Sequence, residues 1–250
     1  PINQTVTVGA GVSFEHLLQT IVGKGFFLPV TPGTRHITIG GAIAADVHGK
    51  NHHVDGSFGN HVHRILIIDG NGDLRELTPR NQKNENTSQL FWATIGGMGL
   101  TGVILEATIS LIPIKTSLIK VDTNRFKHLD QLMEAMVIAD KRYRYSVAWV
   151  DSLDKNGRGV LTCGNHAEIE DTSPIYGNSA ILKYDAKALI GAPNYMPGGL
   201  LNRYTVKLFN EGWYRKSPLN KRNELITIIL CQKPQIPSQG CHHYPFLQTP

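Results

Sequence analysis

Several things are scarce in this 250-residue chain, and each absence narrows its function. Three cysteines, Cys163, Cys231 and Cys241, form no CxxC pair. The odd count argues against a disulfide framework. Charged residues make up only 18%, and the Lys and Arg side chains are scattered with no repeated aromatic-plus-basic motif, which argues against a nucleic-acid partner. No apolar run approaches the roughly 18 residues needed to cross a bilayer. GxxxxGK[ST] is missing, as is GxGxxG in a βαβ setting, so neither a P-loop nor a Rossmann site is expected. HExxH, GxSxG and diagnostic pairs of carboxylates are also missing, which removes the usual metalloprotease, serine hydrolase and glycosidase readings. Internal repeats are absent as well.

What is present is ordinary in bulk and unusual in one place. Hydrophobic content of 41% and a net charge of +5 describe a globular, mildly basic protein that favours anionic partners. Residues 32–62, PGTRHITIGGAIAADVHGKNHHVDGSFGNHV, concentrate Gly33, Gly40, Gly41, Gly49, Gly56 and Gly59 with five histidines, Lys50, Asn51 and Asn60. Glycine lets backbone approach a bulky ligand closely, and His, Lys and Asn supply hydrogen bonds and charge. The plainer alternative is a set of turn glycines. The functional alternative is a binding loop whose N–H groups face anionic or carbonyl groups. His48, His52 and His53 have helical spacing for a metal, but Gly49, Asn51 and Gly56 make a poor helix, so no metal site is expected. Between Asp46-Val47 and Gly49-Lys50-Asn51, His48 is the best candidate for a ring that touches a cofactor or moves a proton.

The pattern along the chain predicts an α+β fold. Thr5–Val8 reads as a strand, and Ser13 as the N-cap of a helix carrying Phe14, Leu17, Leu18 and Ile21. Ile65–Ile68 and Leu74–Leu77 read as a hairpin about Asp69-Gly70-Asn71-Gly72. Residues 79–89 read as a polar loop, 90–95 as a short helix, 96–102 as a second glycine cluster and 103–112 as a strand. After a seam at Pro113, a strand is expected at 118–121. Leu129, Leu132, Met133, Met136 and Val137 predict an amphipathic helix. A strand at 143–150 and a turn region at 151–159 follow. Residues 172–199 read as loop-rich, and 205–209 and 225–230 as weak strands. The proline-containing tail after Cys231 predicts no ordered element. The chain starts at Pro1 inside an apparent strand, which suggests a fragment.

The combination of DVHGKNHH, GSFGNHV and GGMGLTG resembles the FAD-binding oxidoreductases of the vanillyl-alcohol oxidase type. YSVAWVD (145–151), PGGLLNRY (197–204) and WYRK (213–216) extend the resemblance, which runs from about residue 1 to 225. It implies a PCMH-type FAD-binding domain lacking its N-terminal part over 1–115, an incomplete α+β substrate cap over 116–227, and a divergent tail over 228–250. It implies non-covalent FAD held along Gly33, Thr38, Ile39, Gly40, Gly41, His48, Gly49, Lys50, Asn51 and Ile104. His48 and Lys50 would be catalytic, with Thr34 and Trp149 at the substrate. The reaction implied is oxidation of the 2-hydroxyl of decaprenylphosphoryl-β-D-ribose in arabinan and cell-wall precursor synthesis, by hydride transfer to the flavin. A partner reductase completing epimerisation, peripheral membrane association and a cytoplasmic or periplasmic-face location go with that reading. The alternatives are another sugar or alcohol oxidase of the superfamily, or a truncated remnant that binds FAD weakly. The family's upstream glycine loop and its C-terminal lysine have no counterpart here, and Cys231 and Cys241 do not stand in for its pocket cysteine.

Overall fold

The computed structural model describes residues 4–80, 85–172, 181–184 and 202–228. Most of the expected loop at 172–199, the tail from Cys231 with Cys241, and most of PGGLLNRY lie outside these residues. The chain divides into two compact units, one within Pro1–Ser117 and Ser173–Tyr184, the other within Leu118–Thr172 and Asp185–Pro250.

The first unit opens with β1 (Thr5–Gly9) and α1 (Phe14–Ile21). Ser13 Oγ accepts the His16 N–H and caps α1, as its position before an apolar 3.6-residue period requires. Phe14, Leu17, Leu18 and Ile21 are all buried. A 3-10 turn at Val22–Lys24 and a left-handed Gly25 end the helix. β2 (Phe26–Phe27) follows. Within the glycine- and histidine-rich stretch the chain forms α2 (Ile39–Ala44), α3 (His52–Asp55) and a 3-10 turn at Phe58–His61. The expectation of a simple loop is therefore corrected: Thr38 caps α2 and Ile39, Ala42 and Ile43 bury its inner side.

β3 (Val62–Ile68) and β4 (Leu74–Leu77) form the hairpin, with Ile68 opposite Leu74. Helix α4 spans Glu85–Thr94, so it starts earlier than the sequence suggested and takes over part of the expected polar loop. β5 (Val103–Ser110) and β6 (Ile112–Pro113) complete the unit. The antiparallel sheet runs β1-β5-β3-β4, and β2 pairs with β6. Phe14, Phe27, Phe58, Ile39, Ile43, Ile65, Ile67 and Ile109 are fully buried in its core, where Phe14 and Phe58 meet with ring centroids 5.3 Å apart.

The second unit contains β7 (Leu118–Phe126), α5 (Leu129–Ala139), β8 (Tyr145–Val150), β9 (Gly159–His166), α6 (Arg203–Lys216) and β10 (Asn220–Thr227). Its sheet order is β10-β7-β9-β8, antiparallel throughout. Three expectations are corrected here. The weak strand at 205–209 is the interior of α6, because Asn202 and Thr205 form a reciprocal capping box that starts a helix where side-chain alternation alone suggested a strand. The last strand lies at Asn220–Thr227, earlier than expected. In α5 the buried side is Leu132 and Ala139, while Leu129, Met133 and Val137 are exposed.

A polar cross-tie joins the strands. Asp122 accepts from the Tyr143 hydroxyl at 2.6 Å, Arg222 Nη1 at 3.0 Å and the Asn223 N–H at 2.8 Å. The last two reach it because the register of β10 against β7 shifts between Lys221 and Glu224, with Asn223 at φ 54°. Burial raises the Asp122 carboxyl, but these donors outweigh it and hold the group below the usual range. The Tyr143 hydroxyl is pushed up, first by its bond to Asp122 and then by burial. The carboxylate's contribution is present above about pH 4 and is lost as pH falls through the depressed folded value. The phenol's contribution is present below about pH 10 and is lost as pH rises through the raised one. Urea midpoints across pH should therefore show a plateau with an acid and an alkaline edge. Tyr143→Phe should flatten the alkaline edge; an unchanged profile in that variant would remove the cross-tie from the stability of this unit.

Cys163 sits beneath α5 with Leu132, Ala139 and Leu161, and burial pushes its thiol up to about 12. Since the thiolate is the reactive form, peptide mapping after a maleimide pulse should find Cys163 unlabelled in native protein and labelled in urea.

Candidate functional site

Thr38 hydroxyl accepts the Gly41 N–H at 3.1 Å and starts α2. The Ile39 N–H donates to the Val12 carbonyl and the Gly40 N–H to the Ala10 carbonyl, both at 2.9 Å, and the Ala42 N–H to Thr38 O at 2.8 Å. Ala10 in turn donates to Leu105 O at 2.8 Å, next to the half-buried Ile104. Gly33, Thr38–Gly41 and Ile104 thus belong to one unit, and a hydrogen-bond thread runs from the Leu105 carbonyl through Ala10 to Gly40. The N–H groups of 39–42 are already committed, however. A ligand along this segment meets side chains and carbonyls, not the row of free N–H groups the sequence suggested. Gly33 is exposed with nothing within 4 Å of where a Cβ would stand, and Thr34 Oγ1 accepts the His36 N–H at 3.3 Å.

His48, Gly49 and Lys50 follow directly. His48 is exposed and forms an isolated bridge with Ser57; Lys50 is half-buried. Gly49 is buried, and a Cβ there would lie 2.8 Å from Thr31 O and 2.6 Å from Asn51 Oδ1. No other residue fits without moving backbone. Asn51 has no solvent exposure. Its Nδ2 donates to Pro29 O at 2.7 Å and to Asp55 Oδ2 at 2.5 Å, while its backbone carbonyl accepts the N–H groups of Val54 and Asp55, both at 2.9 Å. His52 Nδ1 lies 3.3 Å from Gly49 O, and His61 Nε2 lies 2.8 Å from Asp55 O. The rings of His48 and His52 meet edge-to-face at 5.7 Å. Among the described residues no group of three His, Cys, Asp or Glu is placed to hold a metal ion.

Asn51 was expected at the cofactor, but its buried amide is turned inward as a clamp on the His48–Lys50 turn. Two residues escaped the sequence reading. Asp55 completes the clamp. Asp46 adopts φ 42° and accepts the Gly59 N–H on Oδ1 at 2.8 Å; the available signal was an Asp in a glycine-rich turn, since Asp tolerates the left-handed region better than most residues. The second glycine cluster docks here too, with the Gly96 N–H on Ile43 O at 3.0 Å and the Met98 N–H on Ala44 O at 2.9 Å. Trp149 lies half-buried in β8 of the second unit, opposite Val160.

These residues fit a large planar cofactor with polar edges in one respect and not in another. Open backbone at Gly33 and an exposed imidazole at His48 leave room and a polar contact. Phosphate-cradling N–H groups are not supplied by 39–42. Asn51→Ala would strip the Pro29 carbonyl and the Asp55 carboxylate of a buried donor, at about 2–3 kcal/mol. Its urea midpoint should fall accordingly, and a midpoint equal to the parent's would mean that the clamp is not structural.

Comparison with known proteins gives the following likenesses. Residues 1–78 match the FAD binding domain family. The chain is 42% identical over 216 residues to decaprenylphosphoryl-beta-D-ribose oxidase of Mycolicibacterium smegmatis, covering 85% of this chain and 46% of that protein. It is 35% identical to an uncharacterized protein in the mprA 5' region of Streptomyces coelicolor, over 78% and 51% of the two chains. A D-lactate dehydrogenase of Archaeoglobus fulgidus is 29% identical over 44% of this chain and 25% of its own. The chain thus spans about half the length of the first two relatives. Residues 1–78 are similar to an FAD binding domain, which makes FAD the cofactor that this part of the chain is matched to.

Proposed function

We propose that this chain carries part of an oxidoreductase that converts the 2-hydroxyl of decaprenylphosphoryl-β-D-ribose to the ketone, a step toward arabinan in the cell wall. The observation that carries the reading is the His48-Gly49-Lys50 turn, clamped from below by buried Asn51, within a chain 42% identical over 216 residues to an enzyme named for that substrate. FAD, when bound, supplies the two-electron acceptor for the hydrogen leaving the sugar carbon.

This chain's residues supply position and charge. His48, exposed on a fixed turn, takes a hydrogen bond from the sugar hydroxyl and accepts its proton. Lys50 sets a positive charge against the substrate phosphate or the oxygen that becomes negative as the proton departs. Thr34 and Trp149 contact the sugar, the one by its hydroxyl and the other by its ring face. Gly33 gives close backbone approach, and Thr38–Gly41 with Ile104 form the floor beneath the cofactor. Domain limits of 1–115 for the FAD part and 116–227 for the cap accompany this reading. A reductase partner would complete epimerisation. Another sugar or alcohol as substrate leaves the residue roles unchanged.

A second reading has its own support. With the N–H groups of 39–42 used internally, pyrophosphate contacts must come from elsewhere, so these 250 residues alone could bind FAD weakly. Titrating the purified chain with FAD and recording the flavin spectrum tests both. A bound flavin that bleaches on adding a prenylphosphoryl ribose supports the oxidase; a folded chain that takes up no flavin supports the remnant. In protein that turns over, His48→Ala and Lys50→Ala should each lower kcat on the order of 100-fold, with much smaller changes in FAD affinity. Unchanged turnover in both would remove the pair from the chemistry.

A further inference from the structure

The helix α6 carries apolar side chains on its outer side as well as its inner one. Its inward side is held largely by polar contacts. Buried Asn210 donates to Asp151 Oδ1 at 2.6 Å, and Glu211 Oε2 takes Arg158 Nη1 at 2.6 Å. The Tyr214 hydroxyl donates to Phe126 O at 3.0 Å, while its ring stands 4.5 Å from the Arg158 guanidinium and 4.9 Å from that of Arg125. Arg125 Nη1 also closes the helix end on the carbonyls of Tyr214 and Arg215, at 2.8 and 3.3 Å. Val206 and Trp213 are half-buried on the same side, while three further apolar side chains stand outward: Tyr204 is 82% exposed, Leu208 75% and Phe209 47%. Tyr204 and Leu208 are one turn apart.

Charge indicates what covers the outward side. Arg203, Lys207, Arg215 and Lys216 are the helix's cations, and its one acid, Glu211, is paired with Arg158 and Arg215. Three apolar side chains are too few for a stable protein interface, which buries roughly 800 Å² per partner, and a second copy would set cations against cations. A bilayer with anionic lipid meets both features, accepting apolar side chains at the headgroup boundary and cations at its phosphates. We propose that α6 is a membrane-surface helix that lays Tyr204, Leu208 and Phe209 into an anionic leaflet while its polar inner side anchors it to the sheet. The inference deepens the oxidase reading, on which it rests for its purpose: a decaprenyl chain stays in the bilayer, so the enzyme must meet its substrate there.

The test is co-sedimentation of the full chain, without FAD, with vesicles of phosphatidylcholine alone or with about one third phosphatidylglycerol. Binding is expected to favour the anionic vesicles and to weaken in high salt. The double variant Leu208→Asp, Phe209→Asp should lose binding on the order of tenfold, as should Lys207→Glu, Lys216→Glu. All four positions are exposed, so circular dichroism should match the parent. Anionic vesicles that bind the parent no better than neutral ones would overturn the proposal. So would variants that sediment like the parent, or a dimer in ultracentrifugation that Leu208→Asp, Phe209→Asp dissociates in a chain that ignores vesicles. Because FAD takes no part in the assay, a chain that binds vesicles but no flavin would sink the oxidase reading and leave α6 as assigned.

Discussion

A single carboxamide, buried without access to water, holds the glycine- and histidine-rich stretch of the first unit. Asn51 ties the Pro29 carbonyl to the Asp55 carboxylate through one nitrogen, and its oxygen lies close enough to Gly49 to exclude any side chain there. Among the described residues that oxygen has no hydrogen-bond partner of its own. Asp46, His52 and His61 each hold a neighbouring stretch of backbone. His48 and Lys50 therefore project from a turn with little freedom.

The second unit depends on a comparable centre made of charge. Asp151 is buried, takes Arg158 through Nε and Nη2 at 3.1 and 2.9 Å, and accepts Asn210 as well. Breaking such a group is expensive because a charge would be left without its partner. The same arginine stacks on Tyr214 and pairs with Glu211, so one side chain joins the turn after β8 to α6. The WYRK segment that stood out in the sequence is thereby accounted for in part: its tyrosine is the surface against which two guanidinium groups stack.

Legibility in the sequence followed how local the cause was. α1 was readable because its cap and its four buried positions lie within nine residues, and the β3–β4 hairpin because its turn chemistry is local. β9, GVLTCGNH, was missed because its stability comes from neighbours on both sides, β7 and β8, while its own glycines argue against a strand. The exposed side of α5 was misassigned because Leu129, Met133 and Val137 share the helical period with the buried side; periodicity finds an apolar stripe, not what faces it. At the candidate site, the residue types drew attention to residues 32–62. Which N–H groups were spent and which way Asn51 turned depended on Val12, Ala10 and Pro29, far away in sequence.

The register shift in β10 has an effect beyond seating Arg222 and Asn223 on Asp122. β10 is the outer strand of the described sheet, and a flat outer strand is a template for any passing chain. A left-handed Asn223 between Lys221 and Glu224 interrupts its ladder and twists its rim. It also draws Arg222 and the Asn223 amide toward Asp122, away from an incoming strand. The kink that completes an internal carboxylate site thereby also blunts an edge, so that one irregularity guards this unit against pairing with copies of itself.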